Sequence, residues 1–312
     1  MKKAYYILIA AIAITLGACS DSDNEYFDPY KNMVKKPFYP TNITFKNTNN
    51  DGTQIEKKWE LTYNDDNSIK AYKYEYNVIA SNGVQMKEEH SGELTYHKDP
   101  SSGNKSIKNK LTINSNVTSL TTTESHTDNI IEIANISNEV IKKIDIYGER
   151  TYSNGEETTF QNNLTFTYSN KFCTNSTLTD NTGTTSYTYN WGQGKLNNIT
   201  KYQQDNSNNV TKEDFSYTYD NNTFATDYEF NIMAFVYGNM PEIYAAMNLL
   251  GATSAYQIDG ENYSGYRSFA STTKPIAPVN RSYTIWGQPN NTITYTADSP
   301  SSITYSFTFS RN

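Results

Sequence analysis

Ile303-Thr304-Tyr305-Ser306-Phe307-Thr308-Phe309 sets a large apolar side chain at every second position and a hydroxyl side chain between each pair. Successive side chains of an extended chain point to opposite sides, so this period of two gives one apolar and one polar face. The same period runs through Trp59, Leu61 and Tyr63, with Glu60 and Thr62 between them. It returns in Tyr72, Tyr74 and Tyr76, with Lys73 and Glu75 between them. Three further segments, 164–168, 187–189 and 215–219, place Thr or Ser between large residues. Antiparallel strands read this way when one side of their sheet is wet. Turn-forming clusters separate the segments: Asn64-Asp65-Asp66-Asn67, Ser81-Asn82-Gly83, Ser153-Asn154-Gly155, Thr182-Gly183 and Asp220-Asn221-Asn222. Asn-Gly between alternating segments is a strong hairpin signal. The spacing predicts an all-β chain with on the order of a dozen strands in an antiparallel meander.

One segment breaks the period. Asn239-Met240-Pro241-Glu242 leads into 243–250 and stops at Gly251, with Ile243, Met247 and Leu250 at helical spacing. Asn followed three residues later by Glu resembles a capping box, Pro suits a first helical turn, and Gly ends helices. A short helix of about ten residues, plugging or capping the sheet, is expected near 240–250.

The composition of the 312 residues fits this reading. Tyr (27), Thr (39) and Phe (13) suit a pleated, half-buried surface. Mean hydropathy is −0.74 although only 19% of residues are charged, so uncharged polar residues such as the 39 Asn carry the polarity. So many aromatic residues argue against a disordered chain. The net charge of −7, and isolated basic pairs such as Lys35-Lys36 and Lys142-Lys143, argue against nucleic acid as a partner.

The N-terminus states a compartment. Lys2 and Lys3 precede an apolar run over 4–15, and Leu16-Gly17-Ala18-Cys19 follows. A basic start, an apolar core and small residues at the end make a secretory signal, too short to span a bilayer. Leu-Gly-Ala-Cys resembles the lipobox of bacterial lipoproteins, which makes 1–18 a signal peptide and Cys19 the lipid-attachment site. Acyl chains add about 0.8 kcal/mol per buried methylene, enough together for a stable membrane anchor. Ser20 follows the Cys, the sorting pattern of the outer membrane. The acidic cluster Asp21, Asp23 and Glu25 resembles a surface-export tag. Residues 19–40 then read as an acidic, Pro-containing tether and 41–312 as a single β-domain. With Cys19 committed to lipid, Cys173 has no partner and is expected to be a buried, inert thiol.

Weak repetition runs through the domain. Tyr189-Asn190-Trp191-Gly192-Gln193 and Ile285-Trp286-Gly287-Gln288 each read as an aromatic strand entering a Trp-Gly-Gln turn. Tyr-x-Tyr-Asn/Asp recurs at 74–77, 187–190 and 217–220. Together with the lipobox, the acidic tag and the late Met247-x-Leu249-Leu250-Gly251 helix, these motifs resemble Bacteroides-type surface lipoproteins of a domain of unknown function with a porin-like fold. The resemblance implies a large curved meander, barrel-like or open, over 41–312. It brings no catalytic residues. Residues 101–145 lack the aromatic repeat, and their strand count stays open.

Chemistry is thinly marked. His90, His97 and His126 read as strand-surface residues, while a two-His metal site or a Ser-His-Asp triad stays open because such residues need not be close in sequence. Asp65-Asp66, Glu88-Glu89 and Glu156-Glu157 read as solvated charge, since adjacent acids fall on opposite strand faces or in turns. No catalytic residue, metal site or cofactor is assigned. Trp59, Trp191 and Trp286 are the candidate ligand-binding residues, as stacking platforms for sugars; the competing reading closes the aromatic core with them. The expected function is a surface-exposed outer-membrane lipoprotein with a non-enzymatic binding or envelope-structural role. Its partners would be the membrane through the anchor and a polysaccharide or another envelope protein. The alternative is a secreted-type hydrolase using dispersed carboxylates. A membrane-spanning barrel fits worst, because the clear alternations are mostly shorter than the ~9–11 residues a spanning strand needs.

Overall fold

The structure is a computed structural model. It describes residues 39–49, 51–119, 121–170, 172–193, 195–224, 241–247, 249–251, 256–269, 272–282, 284–288, 292–297 and 302–309. The sheet lies within one compact unit, Phe38–Asn312.

Seventeen strands and one short helix are assigned among the described residues. The first nine strands are β1 (Pro40–Thr48), β2 (Gln54–Tyr63), β3 (Ile69–Ile79), β4 (Gln85–Lys98), β5 (Lys105–Thr118), β6 (Thr123–Ser137), β7 (Val140–Tyr152), β8 (Glu157–Ser169) and β9 (Phe172–Thr179). β10 (Gly183–Gly192), β11 (Lys195–Asp205) and β12 (Val210–Phe224) precede the helix α1 (Glu242–Ala246). β13 (Tyr256–Phe269), β14 (Thr272–Ser282), β15 (Thr284–Gln288), β16 (Thr292–Ala297) and β17 (Ser302–Phe309) complete the chain. Every pairing is antiparallel, and β1 pairs with both β2 and β17, so the first and last strands are neighbours. The ladder ends at β14 and β15, which follow each other in the chain; no register joins them among the described residues. This is the expected all-β antiparallel meander with a short helix, built from more strands than the dozen expected.

Five of the hairpin turns are one device. In each, the first residue's N–H donates to the carbonyl four residues on, and its own carbonyl accepts from the residue three on: Asn49/Thr53, Asn64/Ser68, Ala80/Val84, Tyr152/Glu156 and Asp205/Asn209. The fourth residue takes positive φ, as Gly52 (86°), Gly83 (84°), Gly155 (84°), Asn67 (65°) and Asn208 (61°). That geometry is a type I turn closed by a left-handed residue, which is why Gly or Asn stands there. The clusters at 64–67, 81–83 and 153–155 are therefore turns; at 182–183 a tighter one is closed by the Asp180 N–H donating to the Gly183 carbonyl at 3.1 Å. Asp220-Asn221-Asn222 is not; it lies inside β12, where the register with β13 slips between Tyr219 and Phe224.

The period of two sorts the sheet into a covered and an exposed face. Ile43, Trp59, Leu61, Ile69, Leu94, Ile107, Ala134, Ile141, Ile144, Leu196 and Ile199 are buried on the covered face. Facing water are Lys87, Glu89, Glu93, Lys110, Asn114, Asn129, Thr165, Thr167, Thr188 and Asn190. Residues 101–145 hold long strands, with 14 residues in β5 and 15 in β6. Such lengths would suffice to cross a bilayer, so the argument from strand length fails. The exposed face decides instead. A lipid-facing band is apolar, and a Lys at the bilayer midplane costs ~2–4 kcal/mol. The Lys, Glu, Asn and Thr of this face suit water.

Two glycines shape the covered face. Tyr72 lies opposite Gly92 and Phe160 opposite Gly148. A Cβ on Gly92 would fall 2.2 Å from the Tyr72 ring, and one on Gly148 2.1 Å from the Phe160 ring. Each ring thus lies across the neighbouring strand where a side chain is missing, the aromatic rescue of a strand glycine.

Four tyrosines tie strand ends together. Tyr63, Tyr96, Tyr168 and Tyr219 donate to the carbonyls of Pro40, Ile69, Ile141 and Leu196 at 2.5–2.7 Å. Each tyrosine lies near the end of an even-numbered strand and bonds a carbonyl at the start of the preceding strand. Each closes a large-residue-Thr-Tyr triplet (61–63, 94–96, 166–168, 217–219), a pattern visible in the sequence once its role is known.

The helical segment is shorter than expected. α1 has five residues, its N-cap position is Pro241, and no side chain caps it. Glu242 therefore closes no capping box, and Asn239 lies outside the described residues. The segment still covers the sheet: Tyr244, Ala245, Ala246 and Leu250 are buried. The Ile141 N–H donates to the Leu249 carbonyl, and Gly251, at φ 91°, bridges to Phe172.

Candidate functional site

Where α1 lies against the sheet, a cavity of about 200 Å³ is lined by Trp59 of β2, Tyr72 and Tyr74 of β3, His90 of β4, Asn109 of β5 and Glu132 of β6, together with 241–244. Register brings these residues together. Trp59 faces Tyr74 across β2 and β3, Tyr74 faces His90 across β3 and β4, and Asn109 faces Glu132 across β5 and β6. The Trp59 and Tyr74 rings are 4.8 Å apart, and His90 meets Tyr74 edge-on at 4.7 Å.

One wall is a closed hydrogen-bond network. Asn109 Nδ2 donates to Tyr72 Oη at 3.0 Å and to Glu132 Oε2 at 2.8 Å, and Tyr244 Oη donates to the same carboxylate oxygen at 2.9 Å. Glu132 is thus held as an acceptor between two strands and the helix. Burial, with Glu132 close by, pushes the Tyr72 and Tyr244 hydroxyls above the ordinary tyrosine range and keeps them neutral.

The other wall is not closed. The Asn109 Oδ1 atom is buried with no partner. Glu242 lines the same cavity, and among the described residues no side chain bonds its carboxylate. Burial raises it to about 7, against an opposing pull from Lys57. The Lys57 ammonium sits 5.6–6.0 Å over the rings of Phe45, Trp59 and Tyr76.

A second polar cluster lies on the same face, toward the opposite ends of these strands. Arg150 of β7 grips Asp128 of β6 with two bonds of 2.7 Å, a fork-on-carboxylate pair. His126 stands 4.0 Å from Asp128, and Ser115 lies opposite His126 in register. These residue types could make a triad, but Arg150 already holds the carboxylate that would orient the histidine. No group of three or more His, Cys, Asp or Glu able to hold a metal occurs among the described residues.

The residues singled out from the sequence separate clearly. Trp59 is 3% exposed and forms a cavity wall. Trp191 is half-buried; its indole N–H donates to the Cys173 carbonyl at 2.7 Å, and its ring lies 4.8 Å from Phe172. Trp286 pairs with Thr294 in β15, and its side chain lies outside the described residues. Trp286-Gly287-Gln288 ends β15, and 289–291 lie outside the described residues; the copy ending at Gln193, with φ 54°, enters a turn. Cys173 is free and buried, and burial pushes its thiol up to about 12. Cys19 lies outside the described residues. His97 is exposed, but His90 and His126 sit half-buried on the covered face rather than on the surface, because the alternation of β4 and β6 turns them inward. Glu88 shares that face and meets His90 Nε2 at 3.3 Å, whereas Glu89 faces water and pairs with Lys87. Asp66 holds the Ser68 turn; Glu156 and Glu157 are exposed. Sequence reading did not find Asn109, Glu132 or Glu242 as partners, since they are 23 to over 100 residues apart and only the register and the helix unite them.

No family model and no curated protein matches the chain. Solved structures do. A porin-like protein from Bacteroides vulgatus aligns with a TM-score of 0.53 at 13% identity, over 88% of this chain and all of that one. A porin-like protein from Bacteroides uniformis aligns at 0.46 and 11% identity, over 87% and 96% of the two chains. The first alignment establishes a shared fold. The sheet is thus a porin-like one.

Proposed function

We propose that the chain is a lipid-anchored outer-membrane protein, facing the cell exterior, that binds a small sugar-type ligand without transforming it. The single observation behind the binding role is the Trp59 cavity. An aromatic wall, an amide whose oxygen has no partner and a carboxylate that no described side chain bonds converge there. Stacking plus hydrogen bonding is how sugars are held, and cavities with a few convergent polar groups are default ligand sites. Support for the compartment is the Leu16-Gly17-Ala18-Cys19 lipobox with its acidic follow-on.

Two experiments test the two halves. Cys19→Ala should abolish lipid labelling and release the protein from membranes; a variant that stays labelled and membrane-bound sinks the anchor. For binding, intrinsic fluorescence or calorimetry with a panel of monosaccharides should give saturable binding. Trp59→Phe should weaken it at least fivefold with little change in melting temperature. Equal binding by the variant would place the ligand elsewhere.

A second reading, glycoside hydrolysis, has one observation in its favour. Glu132, held by two donors, and Glu242, raised to about 7, share the cavity as a carboxylate and a carboxylic acid would. Release of reducing ends from a glycoside, lost in Glu242→Gln, would replace binding by catalysis.

A further inference from the structure

We infer that the ligand of the Trp59 cavity carries a primary ammonium group, as an amino sugar does, and that Glu242 and Asn109 Oδ1 receive it. The inference rests on the cavity being a ligand site and adds the charge of what fills it.

Three features of the site point the same way. First, the amide in its wall is open only as an acceptor. Both N–H groups of Asn109 and the Tyr244 hydroxyl proton are already spent, on Tyr72 and Glu132, while Asn109 Oδ1 has no partner at 2% residue exposure. A buried acceptor left open is costly, and a ligand donor would recover that cost. Second, the charges are unbalanced. Glu132 and Glu242 both line the cavity, Glu88 stands beside His90, and Lys57 is held over aromatic rings rather than on either carboxylate. Third, the Trp59 and Tyr74 rings line the cavity, and aromatic rings attract a cation more than a neutral group. A neutral sugar uses the stacking and one acceptor; an ammonium uses all three features.

The test compares matched probes on the purified full chain at pH 7: glucosamine, whose amine is largely protonated there, against glucose, its neutral counterpart. Glucosamine should bind at least tenfold more tightly, and rising salt should narrow the gap. Glu242→Gln should erase the preference while a thermal melt confirms folding. Lys57→Ala, which removes the competing cation, should widen it. Equal or tighter binding of glucose overturns the ammonium inference and leaves the sugar-binding reading standing. A preference unchanged in Glu242→Gln also overturns it. No binding of either sugar removes both.

Discussion

Trp59 and Trp191 occupy equivalent settings and have opposite fates. Each lies on a strand, flanked by an aromatic ring at 4.8 Å on a neighbouring strand. Around Trp191 the identified polar groups are satisfied: its N–H is on the Cys173 carbonyl, the Tyr219 hydroxyl is on Leu196, and Ser176 bonds Tyr189 at 2.9 Å. Around Trp59 they are not: Asn109 Oδ1 is buried without a partner, and no described side chain bonds the Glu242 carboxylate that lines the cavity. The residue type does not separate a core from a site; the completeness of its hydrogen bonding does.

The largest expected effect lies on the closed side. Trp191→Ala removes a packed ring and leaves the Cys173 carbonyl without its donor, so denaturant unfolding should show a loss of about 3 kcal/mol. Sugar binding at Trp59 should be unchanged. A near-neutral variant would mean that the Trp191 side is as open as the Trp59 side.

Glu242 gives an effect of opposite sign. Its folded-state value of about 7 lies above the ordinary glutamate value of 4.5. The folded state therefore holds the proton more tightly, and this stabilisation is complete below about pH 4.5 and lost as pH rises through 7. Glu242→Gln, neutral throughout, should be more stable than the parent at pH 8 by about 1–3 kcal/mol and should flatten the profile between pH 5 and 8. A parallel profile in the variant would show that Glu242 does not set the dependence.

The smallest effect is a single bond. Tyr219→Phe loses one hydrogen bond to the Leu196 carbonyl and should cost about 1 kcal/mol, read as a shift in denaturation midpoint at constant slope. No change would demote the four strand-end tyrosines from anchors to bystanders.

How far the sequence could be read follows from the range of each interaction. The alternation at 72–76 and 303–309 and the turns at 81–83 and 153–155 are local, so the residues there dictate strand and hairpin directly. Asp220-Asn221-Asn222 misled because turn-forming residues also fit a strand whose partner slips register. The helix came out half as long as expected, since a run of helical spacing is decided by what it lies against. Length misled in the same way: alternation was legible only where large residues mark it, whereas β5 and β6 continue through Asn, Ser and Thr.

By itself, then, the sequence determined an all-β antiparallel meander with one helical interruption, because period and turn chemistry act within a few residues. Which face meets water followed only when the strands were assembled. So did the cavity, because Trp59, Asn109, Glu132 and Glu242 come from three strands and a helix far apart in the chain. Only cross-strand register could set them side by side, and only burial by 241–251 could turn an ordinary Glu and Asn into open acceptors.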